Sequence, residues 1–118
     1  MSEDKKRQFE ERMKALHEKY CQQLPQKYFE IEDSWNEYQA DLTNPEFIEK
    51  FYRLIHTLKG TAATFGFTTQ ADCCFEIQKL LLNVKEERSA LPGQSVKLIQ
   101  QHLANLKEHI NSPAQDID

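Results

Sequence analysis

Apolar residues recur along this chain at helical spacing almost from its start. Phe9, Met13, Leu16, Tyr20 and Leu24 step by four, three, four and four, which places them on one face of a helix. Ser2 is suited to cap that helix, and Glu3 and Asp4 follow it where the helix dipole favours acids. Pro25 interrupts the run. A proline inside a helix removes a backbone donor and clashes with the carbonyl four residues back, here that of Cys21. The stripe resumes almost in phase with Tyr28, Ile31, Trp35, Tyr38 and Leu42. One long kinked helix or two nearly collinear ones would both fit. The expectation adopted is a break or sharp kink just before Pro25, with Pro25 at the first helical position.

Leu42-Thr43-Asn44-Pro45 marks a boundary, with Asn44 capping, Pro45 opening the next helix and Glu46 in its first turn. That helix carries Phe47, Phe51, Ile55, Leu58, Ala62 and Phe65 on one side, widened by Ile48 and Leu54, and Gly66 stops it. Thr68 or Thr69 is expected to cap the following helix, whose inner side is Ala71, Cys74, Ile77, Leu81 and Val84, with Leu80 and Leu82 alongside. Leu91-Pro92-Gly93 reads as a turn. The last helix is expected to start near Ser95, to carry Val96, Ile99, Leu103, Leu106 and Ile110, and to end at Asn111-Ser112-Pro113.

The pattern predicts an all-α protein: an antiparallel up-down four-helix bundle with an additional N-terminal helix that packs on it or extends it. A single domain over residues 1–118 is expected, with a helical extension to about residue 24, a bundle over about 25–112 and a frayed tail at 113–118. The aromatic stripe of Tyr28, Trp35 and Tyr38 is expected in the core; an exposed docking strip is the other use for it.

Composition narrows the function. The chain has 39% apolar and 29% charged residues and a net charge of −4. No basic stripe is interleaved with aromatics, which argues against a nucleic-acid partner. Cys21, Cys73 and Cys74 form no disulfide framework, so a reducing cytoplasm is the expected compartment. The charged N-terminus is followed by no apolar stretch, so it does not read as a signal peptide, and Leu80-Leu81-Leu82 is far too short to span a bilayer.

One group of residues does not belong to the core pattern. His56 lies beside the apolar line of Ile55 and Leu58 and is expected to face solvent, with Tyr52, Arg53, Lys59 and Gly60 one turn away and Ala63 further on. A glycine inside a helix costs about 1 kcal/mol relative to alanine, and the stripe continuing through Ala62 and Phe65 gives Gly60 no terminating role. Gly60 and Ala63 would leave the imidazole flat and accessible to another protein. Imidazole is largely neutral near pH 7 and is a competent nucleophile. A phosphoryl group on it would carry about two negative charges, which Lys59 could reach as a mobile cation. Phosphoryl transfer asks chiefly for positioning, access and charge stabilisation.

His56-Thr57-Leu58-Lys59-Gly60, followed by five residues and Gly66, resembles the His-x-Leu-Lys-Gly-x5-Gly signature of the histidine-phosphotransfer (HPt) domains of two-component phosphorelays. Thr61-Ala62-Ala63 supplies the small residues usual after the first glycine, Cys74 and Ile77 fit the next helix, and Gln70 departs from the family's preference for an apolar residue. The resemblance implies that His56 accepts a phosphoryl group from a phospho-aspartate receiver domain and passes it to another receiver. It implies that Lys59 steadies the phosphoryl oxygens and that Gln78 contacts the histidine ring. The receiver would dock on Tyr52, Arg53, Gly60 and Ala63.

Receiver domains or a hybrid sensor histidine kinase are therefore the expected partners, and a monomer the expected state. No cofactor is expected on this chain, Mg²⁺ belonging to the receiver, and no autokinase activity, since no Gly-rich phosphate loop is present. The alternative is a helical adaptor that binds a receiver or another regulator without carrying phosphate. A metal-binding bundle is disfavoured by the lack of Glu-x-x-His pairs, and His17, His102 and His109 are read as surface histidines.

Overall fold

The computed structural model describes residues 2–111, and the expected tail at 113–118 lies outside them. Four helices follow one another: α1 (Glu3–Ala40), α2 (Pro45–Thr64), α3 (Thr68–Glu87) and α4 (Gly93–Asn111), with no strand among the described residues. α1 packs on α2 and α4, and α3 packs on α2 and α4, so the helices form a closed ring. Short connections force consecutive helices to run antiparallel. The core is a single cluster that includes Leu24, Ile31, Tyr38, Phe51, Ile55, Cys74, Ile77, Leu81, Ile99 and Leu106.

The additional N-terminal helix does not exist as a separate element. α1 runs unbroken through Pro25 for 38 residues, so the expected break is corrected to one continuous rod. Proline in a helix interior costs about 3 kcal/mol. Leu24, Tyr28 and Ile31 are all buried around it. Burying such side chains stabilises by about 1.5–3 kcal/mol each, and only an unbroken helix aims all three at the same core. Pro25 itself is exposed, so its ring meets no neighbour across the bundle.

The bundle also begins earlier than residue 24. Tyr20 is buried, its ring 5.4 Å from that of Phe65 and 5.3 Å from that of Phe67. His17 stacks on Phe67 at 5.2 Å. Beyond this point Phe9 is 58% and Leu16 49% exposed, so the first turns of α1 extend the bundle instead of packing on it. His17, expected at the surface, is half-buried, and its Nε2 is enclosed without a partner.

The helix ends follow local chemistry. Ser2 Oγ accepts from the Lys5 amide, and Asn44 Oδ1 accepts from the Glu46 amide at 2.9 Å with Pro45 in the first turn. Gly66 adopts φ 79°, a left-handed conformation that glycine accepts without a Cβ penalty. The expected threonine cap of α3 is corrected: Phe67 holds the cap position without a side-chain hydrogen bond, and Thr68 is already helical. Burial of the Phe67 ring sets how the chain enters α3. α4 starts at Gly93, two residues before Ser95, as the Val96 amide donates to the Pro92 carbonyl.

Two buried polar contacts lock the long helix onto the rest. The Tyr20 hydroxyl donates to Gln70 Oε1 at 2.8 Å, and the Tyr28 hydroxyl donates to the Leu103 carbonyl at 3.2 Å. Gln70 thus replaces an apolar residue at the start of α3 with a satisfied amide. Leu82, expected alongside the inner stripe of α3, is 42% exposed, because it lies one position past Leu81 and rotates outward.

Candidate functional site

Ile55 is fully buried and anchors the core face of α2. One residue on, a rotation of about 100° carries His56 out of the core, and its side chain is exposed. Neither ring nitrogen forms a hydrogen bond among the described residues. Gly60 and Ala63 are exposed on the same outward strip. A Cβ placed on Gly60 would meet nothing within 4 Å. Nothing in this chain therefore requires a glycine at this position, and its presence keeps the strip beside the imidazole low.

The side of α2 that faces α3 supports the ring. Tyr52, one turn before His56, lies parallel to the imidazole with a 5° interplanar angle and 6.1 Å between centroids. Its hydroxyl oxygen accepts from Gln78 Nε2 on α3 at 2.8 Å. The Lys85 ammonium sits 4.3 Å over the Tyr52 ring and 2.7 Å from Glu49 Oε2. The hydrogen bond from Lys85 holds the Glu49 carboxyl below the usual glutamate range, with lesser help from the charges of Lys85 and Arg53.

The expected residues fall into two groups. Tyr52, His56 and Gln78 come together, but no hydrogen bond joins Gln78 to His56: the amide nitrogen is spent on Tyr52, and the amide oxygen is buried without a partner. Lys59 is half-buried on the α3 side, its ammonium 5.4 Å over the Phe75 ring. Arg53 is exposed and lies 3.7 Å from Glu49 Oε1, so part of the expected docking surface is charge-neutralised within the chain.

Sequence reasoning passed over Phe75, Lys79 and Lys85. Phe75 is 47% exposed, and Lys79 lies 4.9 Å over its ring opposite an ion pair with Glu76. The visible signal was an aromatic one position past the inward Cys74, off the core face. Cys73 and Cys74 are both buried, and burial pushes the Cys74 thiol up to about 12. That makes Cys74 a packing residue, not a nucleophile.

This arrangement offers an exposed imidazole with a parallel aromatic ring one turn away, a bare strip on the same helix, and two lysines over a phenylalanine of α3. No helix among the described residues is long and apolar enough to cross a membrane. Chemotaxis protein CheA of Listeria monocytogenes serovar 1/2a and of Listeria innocua serovar 6a are each 30% identical to the chain over 69 residues. That match covers 58% of this chain but only 11% of either relative. Among solved structures, the CheA phosphotransferase domain from Thermotoga maritima superposes with a TM-score of 0.73 at 18% identity, covering 83% of this chain and 93% of that one. That likeness is one of fold. The Hpt domain family matches residues 6–109, nearly the whole of the four-helix bundle, and the chain is a member of that family.

Proposed function

We propose that the chain is a phosphocarrier that accepts a phosphoryl group on His56 from a phospho-aspartate of a receiver domain and delivers it to another receiver. The observation that carries this reading is the exposed His56 imidazole next to a glycine for which the chain itself has no use. The outward ring nitrogen donates its lone pair to phosphorus, the acyl-phosphate P–O bond breaks, and the aspartate carboxylate leaves. The reverse step returns the group to a second carboxylate. Lys59 lets go of Phe75 and reaches the phosphoryl oxygens; a cation–π contact at an exposed site is worth only about 0.5–1 kcal/mol, less than a charge-assisted hydrogen bond offers.

Mg²⁺ sits in the receiver, and the chain adds no kinase activity of its own. The receiver covers Gly60 and Ala63, with Tyr52 and Arg53 at the margin. Membership in the Hpt family and the likeness to CheA support a place in two-component signalling, and we infer a cytoplasmic monomer. The test is to mix the full chain with a phosphorylated receiver domain and look for an acid-labile, alkali-stable phosphoprotein. Label on the wild type and none on His56→Gln is expected. An unlabelled wild type would point to an adaptor that carries no phosphate, and undiminished label on His56→Gln would place the phosphoryl group on another residue; either overturns the reading.

A further inference from the structure

We propose that Tyr52 is the positioning residue for His56, and that Gln78 acts on the imidazole through Tyr52 instead of touching it. The inference rests on the phosphocarrier reading for its consequence, but its geometry stands without it. His56 projects from α2 into solvent, and an exposed imidazole free to turn about two side-chain torsions would present its reacting nitrogen only part of the time. Among the described residues, the one aromatic ring paired with it is that of Tyr52, parallel within 5° and 6.1 Å away, inside the range where ring pairs attract.

Tyr52 is itself held at several points. Gln78 on α3 donates to its hydroxyl at 2.8 Å. Lys85 on α3 covers its ring at 4.3 Å while gripping Glu49, one turn earlier on α2, at 2.7 Å. Lys85 and His56 thus approach Tyr52 from opposite ends along α2. The chain of contacts runs from Glu49 and Lys85 through Tyr52 to His56, with Gln78 fixing the hydroxyl end. Each link crosses from α3 to α2 or spans one helical turn, so the orientation of the histidine is tied to the packing of the two helices. A plane held in advance saves the entropy of finding the in-line approach, and small misplacements of a reacting atom are costly.

The experiment uses phosphoramidate, a small phosphodonor, so that no docking surface contributes. The full chain, Tyr52→Phe and Tyr52→Leu are compared in phosphorylation rate and in the side-chain NMR resonances of His56. Tyr52→Phe keeps the stacked ring and should hold the His56 ring-proton shifts and most of the rate. Tyr52→Leu should lose the ring-current shift and slow phosphorylation about three- to tenfold. Should Tyr52→Leu fail to keep its helical circular dichroism, Gln78→Leu frees the hydroxyl from outside the ring pair and should broaden the same resonances. Unmoved His56 resonances and wild-type rate in folded Tyr52→Leu, or an unmoved spectrum in Gln78→Leu when the first does not fold, would overturn the proposal. A wild type that phosphoramidate cannot phosphorylate would count against the carrier reading alone, since the NMR comparison still decides the positioning.

Discussion

Replacing Gly60 with alanine should make the protein more stable. Gly60 lies in the interior of α2, its backbone is not in the left-handed region, and an added Cβ meets no atom within 4 Å. The bond from the Thr64 hydroxyl to the Gly60 carbonyl at 2.9 Å is untouched by the change. Glycine in a helix interior is worse than alanine by about 1 kcal/mol, largely because it loses more freedom on folding. Unfolding entropies of about 2 cal/mol/K per residue, taken over 118 residues, turn that difference into a rise of about 4 °C in Tm. Thermal unfolding followed by circular dichroism measures it directly. A second substitution separates fold from function. Gly60→Gln should also keep or raise stability, since glutamine is a good helix former, yet slow transfer from a receiver by tenfold or more through obstruction of the strip beside His56. A lower Tm for Gly60→Ala would refute the reasoning, because it would mean that the bundle itself requires a bare Cα there. Unchanged transfer by Gly60→Gln would refute the claim that the glycine serves a partner.

Three further outcomes follow from the same structure. Tyr20→Phe should cost about 1–3 kcal/mol by orphaning the buried Gln70 Oε1, whereas Tyr20→Phe combined with Gln70→Leu should recover most of it in urea denaturation; additive losses would count against the 2.8 Å pairing. Burial pushes the hydroxyls of Tyr28 and Tyr38 up to about 12, so the folded state holds these protons more tightly than the unfolded chain. Their contribution is complete below the ordinary tyrosine range near 10 and is lost as pH rises toward 12, so tyrosinate absorbance should appear together with loss of helix; early, non-cooperative ionisation would contradict that. Glu49 runs the other way: its lowered carboxyl stabilises the folded state above the glutamate range and ceases to as pH falls through its folded value, so Glu49→Gln should flatten the acid side of the stability profile slightly, the pair being partly exposed.

Most of this fold could be read from periodicity. The faces of α2, α3 and α4 follow the stripes of Phe51, Ile55 and Leu58, of Cys74, Ile77 and Leu81, and of Ile99, Leu103 and Leu106. At Pro25, Thr68 and His17 the structure departs from local preference for one reason, burial of a neighbour: Leu24 and Tyr28 around the proline, Phe67 at the head of α3, and Phe67 again beneath the histidine ring. The site divided along the same line. His56, Gly60 and Ala63 were legible because helical rotation alone exposes them. The bond from Gln78 to Tyr52 and the parking of Lys59 on Phe75 depend on the register between α2 and α3, which no single-helix pattern contains, whereas Lys79 reaches the same ring from one turn along α3.

The unbroken α1 has a dynamic consequence of its own. Its turns before His17 bury almost nothing, and an isolated helix of that length is marginal in water. Its later turns bury Trp35 and Tyr38 in the core. One continuous rod should therefore span nearly the whole range of local opening free energies, with amide exchange fast near Arg7, slowing steeply across Tyr20 and Leu24, and reaching the global limit around Tyr38. Pro25 offers no amide to exchange, and it falls close to where that gradient is steepest.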